Sequence, residues 1–248
     1  MEGLELLAVE LWNPLGYFGI DNDMLKINAS TLINTWAVLI LLLISILLLR
    51  IFIPKKNTLL HFLVKYCIQS FIDLTTQAMG YFSYQHFAFI TSLFFFIAYC
   101  NLIALIPWLE EPTKDLNTAF ALGCISFFYK DYYAIKVHGI GSYIKEFFHP
   151  FFLTFPLNVI GHFSKIVSIS FRLFGNIFGG SVIVHIYNNA IAGSIIFETI
   201  GILSGLNLLT TLFFIVFEGT IQAFVFTMLS LTYLAIAIQP EESEGEII

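Results

Sequence analysis

Residues Thr31–Leu49 read TLINTWAVLILLLISILLL and carry no charged side chain over nineteen positions. A helix of about 20 apolar residues spans the roughly 30 Å hydrocarbon core of a bilayer, so this stretch predicts a membrane-spanning helix. The whole chain has the same character, because 58% of its 248 residues are hydrophobic and 11% are charged, against roughly 25% charged in soluble domains. The composition excludes a water-soluble globule and predicts an all-α integral membrane protein.

Charges, glycines and prolines divide the chain into segments. Arg50, Lys55 and Lys56 follow the first span at once and place its end on the cytoplasmic side by the positive-inside rule. We expect one membrane domain over 1–248, with about five membrane helices and one amphipathic interfacial helix. The expected boundaries are an N-terminal segment at 1–30, helices at 31–54, 57–80 (amphipathic), 83–109, 116–137, 150–190 and 193–238, and an acidic tail at 239–248.

The last apolar segment is too long to stand upright in a bilayer. Residues 193–238 contain two charges, Glu198 and Glu218, and one helix of this length would measure about 69 Å. Either the chain turns near Ser204 to Asn207, or the helix lies strongly tilted against the segment before it. Periodicity does not decide between these two arrangements.

Several classes of function find no support in the sequence. No basic face predicts binding to nucleic acid, and the acidic excess lies in the terminal segments. We find no Gly-rich phosphate loop, metal-ligand cluster or activated nucleophile, so we expect no cofactor, no metal and no catalytic domain. Three cysteines, far apart and flanked by apolar residues, are typical of small buried side chains.

Charged residues inside the apolar segments carry the functional signal. Arg172 lies among apolar and small neighbours, where an arginine costs about 2.5–3.5 kcal/mol on insertion scales. If Arg172 only extended its charge to the membrane interface, we would not expect other polar residues on its helix face. At about 100° per residue, one face within about 40° of Arg172 holds Asn158, Lys165, Ser168 and Asn176.

A second polar stripe follows in the last segment. By the same arithmetic, a face within about 60° of Gln222 holds Ser204, Asn207, Thr211 and Glu218. Ser, Thr and Asn are common in packed membrane helices, whereas a carboxylate there acts as a counter-ion or as part of an ion path. His185 shares a face with Ser181 that points away from Arg172, so one helix carries a fixed charge on one side and a titratable group on the other.

Four sequence motifs resemble one known family, subunit a of the F-type ATP synthase of the bacterial type. The most specific is PLNVIGHFSKIVSISFRLFGNIFGG at Pro156–Gly180, which is similar to the fifth-helix signature of that family. The others are EPTKDLNTAFALG at Glu111–Gly123, YIKEFFHP at Tyr143–Pro150 and IQAFVFTMLSLTYL at Ile221–Leu234. Their order and spacing are those of the family.

The resemblance implies a non-catalytic membrane stator in which the last two helices form a strongly tilted hairpin along a ring of c subunits. Two offset half-channels would couple the flow of H⁺ or Na⁺ to rotation of that ring. The implied partners are the c-ring, the peripheral-stalk b subunits, the F1 sector and the lipid bilayer. The implied location is the bacterial plasma membrane, with an organellar inner or thylakoid membrane as the alternative.

The resemblance also implies roles for particular residues. Arg172 would be the essential arginine that faces the rotor carboxylate, with Asn176 one turn further along and Gln222 opposite it on the last helix. Asp115 and Asn117 match polar positions at the outer entrance. In addition, His162 and Lys165 belong to the stretch that we assign to ion translocation.

The sequence departs from the family pattern at the expected outer half-channel. Ser181 stands where the family commonly has a carboxylate, and Ile215 stands where Glu or His is frequent. We expect His185, one turn after Ser181, and Glu218, one turn before Gln222, to supply the titratable groups instead.

Two other classes of protein would also carry charges inside the membrane. A secondary transporter would predict an inverted repeat, and the two halves of the sequence show none. In an assembly factor or receptor, Arg172 would be the partner in a salt bridge between helices.

Overall fold

The computed structural model describes residues 11–12, 27–52, 59–106, 108–149, 151–191 and 205–239. Almost all of these residues are helical, and a two-residue antiparallel pair joins β1 (Leu11–Trp12) to β2 (Ile27–Asn28). The predicted all-α class is therefore confirmed. The helices are α1 (Ala29–Phe52), α2 (Leu59–Met79), α3 (Tyr84–Leu102), α4 (Leu116–His138), α5 (Ile140–Phe148), α6 (Phe155–Ile191), α7 (Leu206–Thr211), a π-helix (Leu212–Glu218) and α8 (Gly219–Ile238).

Among the described residues, four stretches are long and apolar enough to cross a membrane. They are Ala29–Phe52, Tyr84–Leu105, Phe152–Tyr187 and Leu208–Ile238. The 23-residue helix α4 is long enough at about 1.5 Å per residue, but it carries Lys130, Asp131 and Lys136. Its composition alone therefore does not mark it as a span, and a fifth membrane helix remains a prediction.

The core lies where α3, α4, α6 and α8 pack together. Ile97 of α3, Phe127 of α4, Leu173 of α6 and Phe226 of α8 belong to one buried cluster, and each is at most 2% exposed. At Gly123 a β-carbon would collide with the hydroxyl of Ser170. A glycine here lets α4 and α6 approach closely, as small residues do between membrane helices.

Helices α1 and α2 lie at the edge of this core. Over its 24 residues α1 buries only Asn34 and Val38, so most of its apolar surface is left uncovered. One face of α2 buries Phe71, Thr75 and Met79 at intervals of four residues, as the helical period requires. The described part of the chain therefore leaves most of the remaining surface of both helices uncovered.

The sequence left open either one tilted helix over 193–238 or a turn near Ser204 to Asn207, and the structure describes this segment only from Gly205 onward. Residues 192–204 lie outside the described part of the chain, and α7 starts at Leu206, after Gly205 in the left-handed conformation with φ of 68°. Seven residues, Leu212–Glu218, then form a π-helix. The predicted stripe assumed 100° per residue throughout, and the structure corrects that assumption, because a π-helix bonds residue i to i+5.

Candidate functional site

The middle of α6 presents Arg172 beside the buried core. Leu173 is fully buried and Ile169 is 2% exposed, whereas the side chain of Arg172 is exposed. Within the described residues, the guanidinium of Arg172 makes no hydrogen bond and no ion pair. The structure thus shows an exposed, permanently charged group near the centre of a long apolar helix.

A single hydrogen bond joins α6 to α8 one turn after Arg172. The side-chain nitrogen of Asn176 donates to Oε1 of Gln222 at 2.8 Å. Gln222 is 4% exposed, so this bond satisfies an amide that has little access to solvent. The structure thus brings together two of the residues that the sequence singled out, across 46 positions of the chain.

A cavity of about 180 Å³ lies beyond Asn176, toward the end of α6, and we call it the His185 cavity. Its polar lining consists of Asn101, Glu111, Asn176, Ser181 and His185. Two of the predicted residues, Ser181 and His185, therefore lie in one place together with Asn176.

Glu218 lies beside the lining of the same cavity, although its own side chain is not one of the lining residues. Its Oε2 atom lies 3.5 Å from the point that a β-carbon on Gly180 would occupy, and Gly180 belongs to the cavity lining. The same β-carbon would lie 3.2 Å from the ring of Phe214, so glycine leaves room here for two side chains of the π-helix. This arrangement brings the carboxylate of the last helix to the wall of the His185 cavity.

A second cavity, of about 420 Å³, lies at the other end of α6, and we call it the Lys165 cavity. It lies between α4, α5, α6 and the end of α8, and its polar lining consists of Lys130, Tyr143, Glu146, His149, Asn158, His162 and Lys165. The ammonium of Lys165 lies 5.9 Å from the ring centre of Tyr233. Two more predicted residues, His162 and Lys165, therefore share this cavity.

Two charged or chargeable groups in the wall of the Lys165 cavity, Lys130 and His162, contact the same carboxylate, that of Asp131. His162 lies 3.2 Å from Oδ2 of Asp131, and Lys130 lies 2.8 Å from Oδ1 of the same carboxylate. Asn158 donates to the backbone oxygens of Phe147 and His149 at 2.9 and 3.0 Å, which ties α5 to α6. The cavity is thus polar, and its framework is held by hydrogen bonds.

Arg172 lies between the two cavities. The lining residues of the Lys165 cavity on α6 end at Lys165, and those of the His185 cavity begin at Asn176, about 16 Å further along the helix. The two linings share no residue. The site therefore consists of two separate polar cavities with a fixed positive charge at the gap.

Two predicted residues lie away from both cavities. Asp115 caps α4, because its carboxylate accepts a hydrogen bond of 3.0 Å from the backbone nitrogen of Asn117. Asn117 is exposed, and neither residue contributes to the lining of the His185 cavity. Aspartate is a preferred N-cap residue, whose carboxylate accepts from a backbone nitrogen of the first helical turn, which accounts for this local geometry.

Sequence reasoning missed Glu111 and Asn101, both of which line the His185 cavity. Burial raises the pKa of Glu111 above its ordinary value, and the positive charge of nearby Lys114 opposes that shift. The sequence feature that could have identified Glu111 was its position directly before Pro112, in the loop between two predicted spans. Asn101 gave no signal, because its polar contacts are remote in sequence.

The chain matches a known protein family over most of its length. Residues 32–235 match the family described as ATP synthase A chain. ATP synthase subunit a of Moorella thermoacetica is 37% identical over 210 residues, which covers 83% of this chain and 89% of that protein. ATP synthase subunit a 2 of Picosynechococcus sp. is 32% identical, with 89% and 90% covered, and ATP synthase subunit a of Desulfosudis oleivorans is 31% identical, with 96% and 99% covered.

Proposed function

The chain belongs to the ATP synthase A chain family, and from this premise we propose that it is the ion-translocating stator subunit of an F-type ATP synthase. The observation that carries the proposal is the pair of polar cavities separated by Arg172. In this proposal the subunit catalyses no reaction itself. It works against a ring of c subunits, together with peripheral-stalk b subunits and the F1 sector, in a bacterial plasma membrane.

Each cavity serves as a half-channel from one side of the membrane. The Lys165 cavity opens on the cytoplasmic side, because Lys130 lines it and Lys136 and Lys145 lie on α4 and α5, the helices that border it, in keeping with the positive-inside rule. The His185 cavity then opens on the opposite side. An ion that enters one half-channel reaches the other only while it is bound to a carboxylate of the rotating ring.

Arg172 controls the exchange between ion and rotor. A carboxylate of the rotor that enters a poorly hydrated site keeps its ion unless a cation replaces it. The guanidinium of Arg172 supplies that cation, because it is always charged, and it makes the carboxylate release its ion. The same charge repels any free cation that would cross from one cavity to the other.

Titratable side chains carry the ion through the His185 cavity. Serine stands at position 181, where the family commonly has a carboxylate, and His185 and Glu218 take over the role of that carboxylate. Glu111 belongs to the lining of the His185 cavity. Each elementary charge that moves down the membrane potential releases about 2.3 kcal/mol per 100 mV. Rotation of the ring transfers this free energy to the catalytic head.

The two cavities can be tested by the side from which each is reached. Gly161→Cys and Ser181→Cys introduce one thiol into the Lys165 and His185 cavities, in a chain whose three native cysteines are replaced by alanine. We expect a membrane-impermeant thiol reagent to block ATP-driven pumping from the F1 side in the first variant and from the opposite side in the second. Ser92→Cys, at an exposed position of α3 that lines neither cavity, is the matched control. Block of both variants from the same side would contradict the proposal.

Purification from detergent tests the partners. A stator subunit should be recovered with a ring of small two-helix subunits that carry a carboxylate at mid-membrane depth. A secondary transporter or an assembly factor should be recovered without such a ring. Recovery without the ring would contradict the proposal.

A further inference from the structure

Asn101 joins three separate parts of the chain at the end of α3. Its side-chain nitrogen donates to the backbone oxygen of Gly219 at 2.8 Å, and the hydroxyl of Thr113 donates to its side-chain oxygen at 2.7 Å. Asn101 is 1% exposed and Thr113 is fully buried. A buried amide is costly unless it is hydrogen-bonded, so these two bonds hold the side chain in one position.

The chemistry of the partners fixes the orientation of the amide. The backbone oxygen of Gly219 can only accept, so the side-chain nitrogen of Asn101 must face it. The side-chain oxygen then faces Thr113, whose hydroxyl is the donor. A carbonyl oxygen has two lone pairs, so Gly219 can accept this bond in addition to a helical one.

Gly219 allows Asn101 to come this close. A β-carbon on Gly219 would lie 3.0 Å from the β-carbon of Asn101, which is tighter than side chains tolerate without movement. A residue with a side chain would therefore push α8 away from α3. The contact depends on a glycine at this position of the last helix.

The contact lies at the junction where the π-helix becomes α-helix. The π-helix ends at Glu218 and α8 begins at Gly219. Such segments are rare and occur frequently at functional sites. Because the two helix types rotate by different angles per residue, the position of the junction sets the direction in which Glu218 points.

We infer that Asn101 is a positioning residue, which holds the backbone at Gly219 and so directs the carboxylate of Glu218 toward the His185 cavity. This inference rests on the proposed role of Glu218 in ion transfer. Thr113 takes part indirectly, because it holds the amide of Asn101 in the required orientation. Asn101 thus connects Thr113, two residues after the lining residue Glu111, to the backbone next to Glu218.

A double-mutant cycle tests whether Asn101 acts through Glu218. ATP-driven ion flux per assembled complex is measured in membrane vesicles for Asn101→Ala, for Glu218→Gln and for the double variant. We expect Asn101→Ala to lower flux roughly three- to tenfold, as loss of one positioned hydrogen bond would, and the double variant to be no slower than Glu218→Gln. Asn34→Ala removes another buried asparagine from a spanning helix and should leave flux per complex unchanged.

The possible results separate this inference from the proposed function. Normal flux in Asn101→Ala, or a double variant whose loss is the product of the two single losses, would overturn the inference and leave the role of Glu218 intact. Normal flux in Glu218→Gln would overturn the role of Glu218 and the inference with it.

A milder pair of variants covers the case in which Asn101→Ala fails to assemble. Thr113→Val keeps the shape of the side chain and removes the hydroxyl that orients Asn101, whereas Thr113→Ser keeps the hydroxyl. We expect reduced flux per complex in Thr113→Val and near-normal flux in Thr113→Ser. Equal flux in the two variants would overturn the inference.

Discussion

Asn176 on α6 donates a 2.8 Å hydrogen bond to Gln222 on α8, and only the acceptor side of this pair is buried. Removal of Asn176 and removal of Gln222 therefore affect the remaining partner differently. Without Asn176, the amide oxygen of Gln222 is left buried and unsatisfied. Without Gln222, the amide of Asn176 stays at the exposed surface of α6.

This asymmetry predicts the order of three stabilities. Asn176→Ala should lower the free energy of unfolding by about 1–3 kcal/mol, the cost of a buried group without its partner. Gln222→Leu should cost less, and the double variant Asn176→Leu with Gln222→Leu should be more stable than Asn176→Ala alone. The thermal midpoint of the purified complex measures this order. A double variant less stable than Asn176→Ala would refute the prediction.

Arg172→Ala should abolish ATP-driven pumping and ATP synthesis, because nothing then displaces the ion from the rotor carboxylate. The same change should open a passive leak between the cavities, since the repelling charge is gone. Arg172→Lys should not restore pumping, because a compact ammonium on a flexible stem does not reproduce the planar guanidinium. Coupled pumping and passive ion permeability are measured in the same vesicles. Substantial pumping by Arg172→Ala would contradict the mechanism, whereas absence of a leak would contradict only the barrier.

Glu218→Gln and His185→Ala should each slow ion flux while leaving the complex assembled. Both side chains lie at the His185 cavity, and each variant removes a group that can take up and release a proton. Flux is compared per assembled complex, with Gln77→Ala as a control at an exposed position of α2 outside both cavities. Near-normal pumping in both variants would mean that the two residues only pack.

Glu111 should make stability depend on pH. Because burial raises its pKa in the folded chain, the folded state keeps a proton that the unfolded state has already lost. Its contribution is fully present below the ordinary glutamate pKa and is lost as the pH rises through the raised value. Glu111→Gln should flatten this dependence in thermal midpoints measured over a pH series. Asp73→Asn, at an exposed carboxylate on α2, should keep the wild-type slope, and an unchanged slope in Glu111→Gln would contradict the prediction.

Helix α2 should lie along the cytoplasmic surface instead of crossing the bilayer. Lys65 and Asp73 on its exposed face are each costly in lipid. Cysteines placed at these two positions should react with an impermeant reagent added to the cytoplasmic side. Reaction of either cysteine from the outside only would contradict this topology.

Hydropathy was sufficient to predict the fold class. Spans such as Thr31–Leu49 are longer than any buried strand and carry no charge. In a bilayer, such a segment satisfies its own backbone hydrogen bonds only as a helix. The helical period also grouped Asn176 with Arg172 on α6, because α6 is regular over its 37 residues. These signals are local, and they suffice where the chain keeps one geometry.

Contacts between distant segments escaped the sequence reasoning. Asn101 meets Gly219 across 118 positions, and no periodicity reports such a pairing. The π-helix was missed as well, because a helical wheel assumes the same rotation angle for every residue. Residues Leu212–Glu218 depart from that angle. Glu111 was passed over because a carboxylate beside a proline is ordinary in a loop, and only the fold brings it to a cavity.

The separate linings of the two cavities have a consequence for how this protein can vary. A substitution that widens or narrows the Lys165 cavity leaves every wall residue of the His185 cavity unchanged, and the reverse also holds. Under the proposed function, intake and outlet can therefore adapt independently to the acidity on their own side of the membrane. The element common to both routes is the stretch of α6 around Arg172, and that stretch is where tolerance to change should be lowest.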